Sequence, residues 1–171
     1  MALVQIDVFK SREMLATIYA IRALDKTLQK QIRTHVKRWA QPEFKQSMAQ
    51  HADTKLEHRV LVDTAVVSVS NQNVRLQSAG KGRRLSGGLN PKTDYAPVEF
   101  GAHAKGKSYT RKSRNGGTHR VMRAMNTQFK VPNRRGYVFY PTVREFVPRV
   151  ASYYVQTTVR TIANALEGKQ E

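Results

Sequence analysis

The chain has no cysteine. That excludes disulfides and thiolate metal sites, and it suits assembly in a reducing compartment. Acidic residues are scarce too: 12 Asp and Glu stand against 30 Lys and Arg, leaving +18 at pH 7. No apolar run approaches the ~20 residues that cross a bilayer, so no membrane contact is expected. The opening MALVQIDVFKSREML lacks a basic stretch followed by an apolar one and does not read as a secretory signal. A soluble chain made in a cytoplasm is the expectation.

Signatures of catalysis are missing as well. There is no glycine-rich phosphate loop ending in Lys-Ser or Lys-Thr and no His-Glu-x-x-His pair. The five histidines are scattered at positions 35, 51, 58, 103 and 119. His51 and His58 would need Asp53 or Glu57 to hold a metal. Asp53, Glu57 and Asp63 read more simply as helix-capping and ion-pairing groups beside Lys55 and Arg59. No cofactor, no metal and no enzymatic activity are expected.

What is present is an apolar content of 40% in 171 residues, enough for one modest core. The reading is a single domain over 1–171. Alternation of Ala2, Val4, Ile6 and Val8 with polar residues predicts a short strand or an ordered arm, and Ser11 is placed to cap a helix beginning after it. From Met14, Leu15 and Ile18 through Leu28 to Trp39, apolar residues recur at steps of three and four, the period of an amphipathic helix. This face is expected to be buried, within the subunit or between subunits. Pro42 is expected to end or break the helix. Residues 43–57 read as a short second helix or a turn. Residues 58–79, rich in Val and Thr, predict a β-hairpin turning at Asn71-Gln72-Asn73. Residues 136–143 read as a strand ending at Pro141. Apolar positions from Val143 to Leu166 predict a second long helix, with Pro148 in its first turn or kinking it. The order predicts an α+β fold, an antiparallel sheet packed against a long N-terminal and a C-terminal helix, with long basic loops.

Those loops span about 80–94 and 102–135. Between Lys81 and Arg135 stand 14 Lys and Arg against two acids, Asp94 and Glu99, a net +12. Lys81, Arg83 and Arg84 lie in the first loop. Lys105, Lys107, Arg111, Lys112, Arg114 and Arg120 lie in the second, a loop or mobile hairpin with Gly116-Gly117 at its tip. Residues 120–130 fit helix or strand equally well. Charge, reach and sparse aromatics suit nonspecific contact with nucleic-acid phosphates. They suit equally an acidic face of a neighbouring protein, on which the loops would order. Protein clasping is the preferred reading.

Asp94–Ala102 reads DYAPVEFGA. Tyr95, Ala96, Glu99, Phe100 and Gly101 resemble the Tyr-Ala-x-x-x-Glu-Phe-Gly-Thr signature of a family of tail-component and neck proteins of long-tailed phages. Asp53-Thr54-Lys55-Leu56-Glu57-His58 is similar to a segment before that family's first strands. Phe139-Tyr140-Pro141-Thr142 resembles the element leading into its C-terminal helix. Lys55 stands where the family has glycine. Pro97-Val98 fill a gap one residue shorter, and Ala102 replaces the closing threonine. The resemblance implies a tail-completion protein, a homo-oligomeric ring in the virion neck. It would join the head connector or stopper to the tail terminator or tail tube around the DNA channel. The alternatives are the tail terminator itself and, from another class, a sequence-nonspecific nucleic-acid-binding protein. Taken without the family, Tyr95 and Phe100 would anchor a strand, and Gly101 would allow a sharp exit. Glu99 would pair with an arginine or lie exposed.

Overall fold

The computed structural model describes residues 2–5, 12–80 and 82–167; the expected cap Ser11 and the basic Lys81 lie outside them. The fold is α+β, with five helices and two antiparallel sheets among these residues. Strand β1 (Ala2–Gln5) is followed by helices α1 (Arg12–Ala23) and α2 (Lys26–His51). A short helical turn, α3 (Lys55–Glu57), runs into a π-helical turn at His58–Val62. Strands β2 (Val66–Val69) and β3 (Val74–Ser78) precede helix α4 (Pro91–Phe100). Strands β4 (Lys105–Lys112) and β5 (Thr118–Met125) then form a hairpin, and helix α5 (Phe139–Leu166) ends the fold.

The first helix divides where its apolar period gives no warning. Leu24 and Asp25 interrupt it, and Asp25 caps α2 by accepting the Thr27 N–H at 3.0 Å. A short acidic side chain competes there with the helical backbone bond. Pro42, expected to be the break, sits inside α2. A buried proline-containing helix costs about 3 kcal/mol at the proline. Ile32, Val36, Ala40, Phe44 and Met48 step along one fully buried face, each large side chain contributing about 1.5–3 kcal/mol, which outweighs the proline. Pro148 is tolerated in the third turn of α5 in the same way, between buried Phe146 and Val150.

The expected β-hairpin forms over 66–78, with Val67 opposite Leu76 and Val69 opposite Val74. Residues 58–62 are helical instead of strand, because Val60, Leu61 and Val62 are buried in succession, which an alternating strand would not do. Strand β1 adds to the far side of β3, giving the order β1-β3-β2. The side-chain amide of Gln41 on α2 closes onto β2, donating to the Ala65 carbonyl at 3.0 Å and accepting from the Val67 N–H at 2.8 Å.

Helices α2 and α5 pack together beneath this sheet. Trp39 stacks on Tyr153 at 4.1 Å between ring centroids, and Phe44 meets Phe139 and Phe146 at 6.2 and 5.3 Å. Ile18 is buried in the same core, while Leu15, Leu28 and Trp39 are half-buried. Truncation of Phe44 to alanine removes the centre of this cluster. Loss of about 3–5 kcal/mol is expected, read as a lowered midpoint in thermal or urea unfolding.

Candidate functional site

Contrary to the strand expectation, Tyr95 to Phe100 are helical. Asn90 caps α4 by accepting the Lys92 N–H at 3.1 Å, and Pro91 takes the first helical position, where its missing N–H costs nothing. Pro97 sits inside the helix, and the backbone relaxes at Asp94 one turn earlier (φ −109°, ψ 16°), as a ring pressing on the preceding turn requires. Gly101 ends α4 at φ +74°, and a Cβ there would lie 2.3 Å from the Val131 carbonyl oxygen. The sharp exit expected of it is thus real, and only glycine fits.

Glu99 neither pairs with an arginine nor lies exposed. Its side chain is fully buried, and its carboxylate accepts the N–H groups of Phe139 at 2.9 Å, Tyr140 at 3.1 Å and Val138 at 3.3 Å. These are the unsatisfied donors at the start of α5. Pro141 has none to satisfy, and Thr142 N–H donates to the Val138 carbonyl at 3.2 Å, beginning the helical series. The expected strand ending at Pro141 is therefore the first turn of α5, with Phe139 in the core and Pro141 where an N–H would be orphaned. Burial lifts the Glu99 carboxyl above its usual value, against the pull of the Phe139, Tyr140, Val138 and Tyr137 backbone amides. Gly136 makes room for it: a Cβ there would stand 2.3 Å from Glu99 Oε1. The Tyr95 and Tyr140 phenols are close enough to interact electrostatically, and Phe100 lies against the Tyr140 ring at 5.3 Å. Ala96 faces solvent.

The same segment roots the hairpin. Ala102 N–H donates to the Lys130 carbonyl at 2.9 Å, and Asn133 N–H to the Phe100 carbonyl at 2.7 Å. Lys130 then reaches both carboxylates of the 53–58 segment, Asp53 and buried Glu57, at 2.7 Å each. Glu57 also completes a capping box with Thr54, accepting the Asp53 and Thr54 N–H groups at 2.9 Å. Leu56 packs on the core edge. Asp53 and Glu57 therefore do act in capping and ion pairing, but their cation is Lys130 rather than Lys55 or Arg59. Burial pulls the Lys130 ammonium down, yet hydrogen bonds and charge from the two carboxylates outweigh it and its pKa ends above the ordinary value. The hydrogen bond and charge of Lys130 hold Asp53 below the usual range.

From that root the region read as a long loop or mobile hairpin rises as a hairpin, β4 against β5, turning at 113–117, at the expected Gly116-Gly117 tip, with Gly116 at φ +83°. Of the undecided stretch 120–130, residues 120–125 lie in its second strand. Its strands touch each other and make no substantial contact with another element. All its side chains are exposed except Tyr109, Ser113 and Val121, which are half-buried. Lys105, Lys107, Arg111, Lys112, Arg114 and Arg120 all stand on it, together with Arg123, which the sequence pattern alone did not single out. Among the described residues no carboxylate pairs with any of them. Arg83 and Arg84 are placed elsewhere, on the loop before α4, where with Arg59 and Ser86 they line an open cavity of about 370 Å³.

His51 lies 3.4 Å from Glu145, and no group of three or more His, Asp or Glu gathers among the described residues. No helix there is long and apolar enough to cross a membrane. Comparison with protein-family models, with curated proteins and with solved structures gives no match.

Two outcomes test this root. Glu99→Gln puts an amide donor against backbone donors, and about 1–3 kcal/mol should be lost, with faster amide exchange at residues 138–140. For Lys130→Met, the difference in melting temperature from the wild type should be largest near neutral pH. Asp53 contributes stability above its unfolded pKa of about 3.9, lost as pH falls through the lower folded value. Lys130 contributes below about 10.4, lost as pH rises through its higher folded value. A difference that stays constant across both ranges would show the ion pairs to be idle.

Proposed function

We propose that this chain is a non-catalytic structural subunit of a phage neck, a tail-completion protein that forms a ring between head connector and tail around the DNA channel. The support is twofold. The three segments that resemble the neck family, 53–58, 95–101 and 139–142, meet at one place, the root of the hairpin and the start of α5. Residues drawn from across the sequence thus converge on holding one projecting arm.

The observation that carries an assembly role is the arm itself. A two-stranded ribbon is at best marginally stable in water without a face to pack on. Here that ribbon carries seven cations from Lys105 to Arg123 that no carboxylate among the described residues pairs with, and it makes no substantial contact with another element. Such an arm is suited to docking on a neighbour whose surface completes it. In the neck reading, the neighbours are other copies in the ring and the connector, terminator or tube proteins above and below. The tail terminator is the nearest alternative position for the same architecture.

Changing Lys105, Lys107, Arg111, Lys112, Arg114 and Arg120 together to serine should yield filled heads and finished tails that do not join, counted by electron microscopy of lysates. Normal joining with normal infectivity would remove the arm from assembly, and absence of the chain from the necks of purified virions would remove the neck assignment itself.

A further inference from the structure

The register of the hairpin divides its cations between two unequal faces. Side chains directly opposite one another share a face, and successive residues alternate. Lys105, Lys107, Tyr109 and Arg111 on β4 therefore share one face with Met125, Arg123, Val121 and His119 on β5. The other face holds Gly106, Ser108, Thr110 and Lys112 against Ala124, Met122, Arg120 and Thr118. Four permanent cations and a histidine surround one tyrosine on the first face. The second is mostly small or neutral, with its two cations toward the tip, and one of these, Arg120, is already turned onto Ser108 at 2.6 Å.

On the first face Lys107 and Arg123 stand directly opposite each other. Like charges across a strand pair are destabilising, and no acid lies anywhere between residues 102 and 135 to relieve them. An external anion would relieve that repulsion. This chain is a poor source of one, because its acids are few and many are engaged in caps and ion pairs within the subunit. A second copy therefore does not complement this face.

We infer that the Lys105–Lys107–Arg111–Arg123 face of the arm binds the phosphate backbone of duplex DNA without reading its sequence, leaving the opposite face to protein neighbours. In the two rows of side chains on this face, Lys105 and Lys107 stand about 6.8 Å apart on β4 and Arg111 about 13.6 Å beyond Lys107, with Arg123 across from Lys107, a spread suited to several backbone phosphates rather than a single carboxylate. A two-stranded ribbon is narrow enough to enter the major groove. Tyr109, half-buried at the centre of the rows, supplies a contact for sugar or base edges. No side chain on this face is an Asn or Gln held for adenine, and no acid is present to read cytosine. Phosphate contacts of this sort let a protein slide along the duplex, so a positive arm beside a DNA channel holds the duplex without locking it.

The test is a salt titration of binding by fluorescence anisotropy, using duplexes of about 30 base pairs in two unrelated sequences, with poly-L-glutamate as the acidic-polypeptide probe. The full chain should bind both duplexes equally, with affinity falling steeply as salt rises. Each phosphate contact adds about −0.9 to the slope of log K against log salt. Lys105→Ser, Lys107→Ser, Arg111→Ser and Arg123→Ser combined should make the slope shallower by about 3 to 4. Lys112→Ser with Arg120→Ser should change it by less than about 1. Circular dichroism and melting of both variants should match the wild type, since the arm touches no core. Loss in simple proportion to the charge removed would overturn the facial assignment. Equal affinity for poly-L-glutamate would make the partner an acidic protein, and no duplex binding at low salt would end the proposal.

Discussion

The Glu99 carboxylate accepts hydrogen bonds from three consecutive backbone donors, Val138, Phe139 and Tyr140, and the placement of everything between residues 101 and 138 depends on that closure. A helix start buried in a core must satisfy its N–H groups or forfeit their hydration. Here the partner comes from 39 to 41 residues earlier in the chain. The end of α4 and the beginning of α5 are thereby fixed side by side, and the chain between them has no course open except outward. Gly101 and Gly136 are the clearances this requires, one for a backbone carbonyl and one for the carboxylate itself.

Negative charge is in short supply in this protein and is used where it stabilises the subunit. Asp25 and Asp94 receive backbone donors near helix starts, Glu57 closes a capping box, Asp53 and Glu57 share Lys130, and Glu43 pairs with Arg149 at 2.9 Å. Seven cations stand on the arm, where no carboxylate among the described residues pairs with them.

The sequence makes the α+β class, the core face of α2, the 66–78 hairpin and α5 legible, because each rests on a repeated apolar spacing. Breaks were harder to place. Pro42 is the strongest local disruptor in the N-terminal half, yet burial of Phe44 and Met48 carries α2 through it, while a single capping bond at Asp25 divides the helix inside an unbroken apolar period. The 95–101 segment misled for a different reason. Pro97 disfavours a helix locally, but Pro91 begins α4 upstream and the bend at Asp94 absorbs Pro97. Glu99's role depends on residues about 40 positions away, a relation no periodicity records. The 102–135 stretch looks loop-like because its strands have no apolar face; their alternation sorts charge rather than hydrophobicity, and only the pairing register reveals it.

The arm also has edges. Among the described residues β4 and β5 pair with each other and with no third strand, so each eight-residue strand leaves one row of backbone groups unpaired. Rows of that kind are templates on which identical chains add, strand to strand, into aggregates. In this protein an approaching copy would bring Lys105, Lys107 and Arg111 or Arg120 and Arg123 against their own kind. The cations thus act as a guard against strand-to-strand addition of copies.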